Sequence, residues 1–89
     1  MSIFVLFRVT DVEKVKSALV TKFPDDYLEV EAGQFLISSN LSAESVSEKL
    51  KITDGTNGNA IVFAMGSYYG RASTNIWDWI KAKAEKADG

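Results

Sequence analysis

Cysteine and histidine are both absent from this 89-residue chain. Their absence excludes disulfides, thiol nucleophiles, an imidazole general base and every zinc site built on Cys or His. Any chemistry must rest on carboxylates, hydroxyls, lysines or arginines. An excess of charge is missing too: ten Lys and Arg stand against twelve Asp and Glu, a net charge of -2. No basic field therefore advertises nucleic acid. Long apolar runs are lacking as well. The stretch Ile3-Phe4-Val5-Leu6-Phe7 stops at Arg8 with no basic region before it, too short for a membrane span or a signal peptide. The expectation is a cytoplasmic protein with no membrane attachment.

What remains is 46% hydrophobic and 25% charged, the balance of an ordinary globular chain. Its length suits one domain over residues 1–89. A domain of this size buries only about 60–65% of the surface its unfolded chain exposes. With no staple available, it needs an efficient core, a partner copy, or both.

Residues 2–9 read as the clearest strand. Ile3, Val5, Phe7 and Val9 point one way, and Phe4 and Leu6 the other. Apolar residues on both faces predict a central strand covered twice. Thr10-Asp11-Val12-Glu13 then reads as a capping box, with Thr10 as the cap. Val12, Val15, Leu19 and Phe23 follow at helical spacing until Pro24 stops the helix. Residues 27–31 and 34–38 predict two strands joined by a tight Ala32-Gly33 turn, with Leu28 and Val30 inward and Tyr27, Glu29 and Glu31 outward. Ser42 suits the N-cap of a short helix with Ala43, Val46 and Leu50 on its stripe. After the polar loop 54–59, residues 60–65 predict the fourth strand, with Ile61, Phe63 and Met65 on one face. A third helix begins near Ser73 or Thr74 and carries Ile76, Trp77, Ile80, Ala84 and Ala87 on one face.

That order predicts an α+β ferredoxin-like βαββαβ fold with an additional C-terminal helix and a four-stranded antiparallel sheet. Right-handed crossovers put strand one between strands three and four, and put two helices on one sheet face. The other face needs the third helix or a second subunit over it.

With this order, Phe35-Leu36-Ile37-Ser38-Ser39, the helix entry Ser42-Ala43-Glu44 and residues 60–66 resemble a group of small bacterial proteins labelled SinR-like. That group lies near VapD and the CRISPR-adaptation ribonucleases in fold. The resemblance implies a ferredoxin-like homodimer, in some members a metal-dependent endoribonuclease. Such nucleases carry an aspartate at the end of the first strand, where two copies meet and hold a metal. Here that strand ends in Arg8-Val9-Thr10, and the nearest carboxylate is Asp11, which the helix reading puts in the first helical turn. Asp11 is therefore the candidate under a nuclease reading, with magnesium or manganese. Otherwise no cofactor is expected.

The residues themselves leave several sites open. Asp11, Asp25, Asp26 and Asp54 lie in or beside loops, where hard cations find oxygen ligands; the plainer account is helix-dipole stabilisation and turn solvation. At 66–71, Arg71 with Ser73 and Thr74 offers an anion site at a helix start, and Tyr68 and Tyr69 offer rings for a base or a partner. The plainer account is a glycine-flexed connection with its tyrosines packed on the core edge. Trp79 lies about 160° around the helix from Trp77, so it suits a partner contact or an intramolecular dock on the open face. Arg8, Lys14, Lys16 and Lys22 offer a local positive edge, weak support for nucleic acid. Ser38, Ser39 and Ser67 have no histidine to activate them. The leading expectation is a non-catalytic, homodimeric protein-interaction module. The alternative is a metal-dependent ribonuclease or nucleic-acid binder.

Overall fold

The computed structural model describes residues 2–66 and 74–88. Its elements are β1 (Ser2–Phe7), α1 (Val12–Lys22), β2 (Tyr27–Glu31), β3 (Gln34–Ser39), α2 (Ala43–Lys49), β4 (Ile61–Ala64) and α3 (Thr74–Asp88). One antiparallel sheet runs in the order β2-β3-β1-β4. This is the ferredoxin-like βαββαβ arrangement with a C-terminal helix added.

The main core lies between the sheet and the two crossover helices. Phe4 and Leu6 of β1 meet Phe35 and Ile37 of β3, and Val15, Leu19, Val46 and Leu50 close over them from α1 and α2. Each such side chain contributes about 1.5–3 kcal/mol by leaving water. Tyr27 packs against this core although alternation in β2 predicts it outward. Leu28 and Val30 face the opposite layer with Ile3 and Leu36. Both faces of the sheet are apolar, so neither row of β2 is purely solvent-facing.

Four boundaries differ from the sequence reading, the smallest being β3, which runs one residue further, to Ser39. β1 ends at Phe7 because Arg8 takes a left-handed conformation, φ 59°, which no strand continues through. β4 occupies Ile61–Ala64 rather than 60–65. The cap of α1 is Asp11, not Thr10: the Asp11 side chain accepts from the Lys14 N–H at 3.2 Å. Thr10 is engaged elsewhere. Its hydroxyl accepts from the Asn59 N–H at 2.8 Å, and its own N–H donates to the Asn59 carbonyl. Gly58 permits this close approach, since a Cβ there would lie 2.6 Å from the Thr10 hydroxyl oxygen.

α2 starts as its sequence predicts, with the Ser42 hydroxyl accepting from the Ser45 N–H. It ends in a Schellman motif. The Lys51 N–H donates to the Glu48 carbonyl and the Ile52 N–H to the Ser47 carbonyl, while Ile52 joins Val46 in the core. Lys51 holds φ 57°, a conformation glycine adopts freely and a lysine at a cost of about 1 kcal/mol.

Candidate functional site

The second face of the sheet is covered only in part. Part of it is sealed by α3, whose Ile80 is buried with Ile3 and Leu36. Ile76, Trp77, Trp79, Leu28, Val30 and Met65 pack around these three. A polar latch holds the helix down. Lys83 Nζ bridges Asp26 Oδ1 at 2.9 Å and donates to the Asp25 carbonyl at 3.0 Å. The same ammonium lies 5.9 Å from the Trp79 ring centroid, in cation–π range.

The seal is incomplete at β4. Val5, Phe7, Ile61 and Phe63 share this face, because β1 and β4 pair Val5 with Phe63 and Phe7 with Ile61. The Phe7 and Phe63 rings stack at 6.1 Å, tilted by 43°. Yet Phe63 is 49% exposed and Ile61 45%. β4 is also an edge strand. The Met65 N–H donates to the Ile3 carbonyl, so in this register residues 61, 63 and 65 turn their backbone groups toward β1. Val62 and Ala64 therefore turn theirs toward the side of β4 that carries no strand among the described residues.

The sites expected from sequence are distributed differently. Trp79 is half-buried against the face its own sheet offers. Thr74 is the first residue of α3 and exposed. Tyr68, Tyr69, Arg71 and Ser73, and also Ser67, lie outside the described residues. Asp11 caps α1, with Lys14 Nζ at 3.8 Å. Asp26 belongs to the Lys83 latch. Asp54 closes its own turn by accepting from the Thr56 N–H at 2.9 Å, and this hydrogen bond lowers its pKa below the ordinary carboxylate value. Among the described residues no three acidic side chains gather where a metal ion could sit. Ser38 and Ser39 are buried, and Ser39 Oγ accepts from the Leu41 N–H.

The proposed positive edge divides in two. Lys16 pairs with Glu29 at 3.0 Å, and that hydrogen bond raises the lysine pKa above its ordinary value. Lys14 and Lys22 instead line a groove of about 610 Å³, joined by Lys49 and Lys51 from the end of α2. Ser17, Ala18, Thr21, Glu13 and Asn57 complete its walls. Lys49 and Lys51 lie far from α1 in the chain, so helical spacing alone gives no sign of them here. Among the described residues no helix is long and apolar enough to cross a membrane. Comparisons with protein-family models, curated proteins and solved structures return no match to this chain.

Proposed function

We propose that this chain is a non-catalytic interaction module that works as a homodimer, with β4 of one copy pairing antiparallel to β4 of the other. One observation carries the reading: β4 is an uncharged edge strand whose Ile61 and Phe63 stand half-exposed beside Phe7. Proteins usually protect such edges with lysine, proline or a bulge. Residues 60–65 contain no charge and no proline, and the pairing of β4 with β1 runs without a register shift.

A second copy is the occupant that fits best. Two identical uncharged strands meet about a two-fold axis without like-charge repulsion, and the axis joins the two Phe7–Phe63 patches. Val62 and Ala64 supply the free backbone groups for the new ladder. The gain also answers the thin stability margin of a small domain. The nuclease alternative draws no comparable support, since Asp11 is spent on capping a helix.

Sedimentation equilibrium over a wide concentration range tests the proposal. The native chain is expected to be a dimer. Phe63→Lys places a charge in the patch, and Ala64→Pro removes an edge N–H that the internal ladder does not use. Both variants are expected to sediment as monomers with an unchanged circular-dichroism spectrum. A native chain that stays monomeric at its solubility limit overturns the proposal, as does a dimer that survives both substitutions.

A further inference from the structure

We infer that the lysine-lined groove between α1 and the end of α2 binds a compact phosphate chain, of the kind carried by a nucleoside triphosphate or inorganic tripolyphosphate. The site is independent of β4 and its patch, because the groove lies on the crossover helices rather than on the face that α3 covers.

Charge is the first argument. The chain as a whole is at -2, yet Lys14, Lys22, Lys49 and Lys51 converge on one concavity against the single carboxylate of Glu13. Two lysines outside the groove are neutralised closely, Lys16 by Glu29 at 3.0 Å and Lys83 by Asp26 at 2.9 Å. In the groove only Lys14 has a carboxylate within 4.0 Å among the described residues, and that contact is 3.8 Å with a 61% exposed lysine side chain.

Local stability explains only half of these cations. Lys22 and Lys49 stand in the last turns of their helices, where a positive charge complements the backbone dipole. Lys14 stands in the first turn of α1, at the end where the dipole disfavours a cation. Lys51 occupies a left-handed position that suits glycine. The Schellman turn explains the left-handed backbone but would be served without strain by glycine, so the turn's geometry alone does not account for a lysine there.

Size and lining choose the ligand. Glu13 to Lys22 spans about 13 Å of helix at 1.5 Å per residue. Among the described residues no aromatic side chain lines the groove, so none of them stacks on bases as single-strand binders do. A long polyanion would also meet the negative remainder of the surface. Two or three linked phosphates, each with roughly one to two charges, match the lysines without leaving the groove. The Ser17 hydroxyl adds a neutral donor, whereas that of Thr21 donates to the Ser17 carbonyl at 3.0 Å.

Titration followed by amide chemical shifts decides the matter, with inorganic tripolyphosphate, adenosine triphosphate and a uridine oligonucleotide as probes at fixed ionic strength. Tripolyphosphate is expected to shift residues 13–22 and 49–57. Lys51→Gly is the central variant: it should raise the melting temperature, by relief of strain, while weakening tripolyphosphate about tenfold. Lys14→Gln should weaken it similarly with little change in melting temperature. Tighter binding of adenosine triphosphate assigns the chain to a nucleotide, and equal binding assigns it to the inorganic form; both uphold the site. Absent shifts, an unchanged affinity in Lys51→Gly, or stronger binding of the oligonucleotide per phosphate overturns it.

Discussion

The two edges of this sheet are built in opposite ways. β2 carries Glu29 and Glu31, has an irregular register between them, and ties Glu29 to Lys16 of α1. Its apolar residues Leu28 and Val30 lie under α3, which Lys83 holds down through Asp26. β4 has none of these devices. It is four residues long, uncharged and regularly paired, with Ile61 and Phe63 half in water. One edge is thus guarded by charge, irregularity and cover, and the other by none of the three. The contrast also explains why a single C-terminal helix suffices: α3 needs to seal only the β2-β3-β1 side.

The strongest way to break the contrast is to strip the cover from the protected side. Ile80→Ala should cost about 2–4 kcal/mol by opening a cavity between Ile3 and Leu36, measured by urea unfolding. It should also increase binding of an apolar dye. A loss below about 1 kcal/mol would mean that α3 is only loosely seated. A smaller effect follows from removing the protection at β2 itself. Glu29→Val with Glu31→Val should leave the fold within about 1 kcal/mol of native stability, but should add assemblies larger than those of the native chain in light scattering. Unchanged particle size would show that the irregular register alone guards this edge.

The smallest expected effect concerns pH. Lys16 is raised in the folded state by its hydrogen bond and charge pairing with Glu29. Its contribution is therefore complete below the unfolded lysine pKa of about 10.4 and disappears as pH rises through the higher folded value. Asp54 runs the opposite way. Its folded pKa is lowered, so its contribution is present above the unfolded aspartate value of about 3.9 and is lost as pH falls through the folded one. Both groups are exposed, so solvent screening keeps each effect small. Glu29→Gln should abolish the alkaline component and leave the acid one, as followed by thermal melts across the pH range.

Much of this architecture is legible in the residues because it rests on local rules. The Ser42 cap, the stop at Pro24, the Gly33 turn with φ 83° and the alternation of Phe35, Leu36 and Ile37 are each decided within a few positions. The cap of α1 is harder, because Thr10 and Asp11 both qualify locally. The choice falls to a loop 49 residues away, whose Asn59 claims the Thr10 hydroxyl. Trp79 is a similar case. Helical spacing sets it apart from Trp77, yet both pack on the same apolar layer, since a wide sheet face receives more of a helix than one narrow stripe.

The sequence by itself determined the order of elements, the doubly apolar first strand and the need for material on both sides of it. Short-range periodicity and steric limits on the backbone act within a few residues and are independent of the remainder of the chain. Only the tertiary structure decided that α3 folds back onto its own sheet, that its cover stops short of β4, and that lysines from two helices share one groove. Those outcomes depend on distances between segments far apart in the chain, which packing alone brings together.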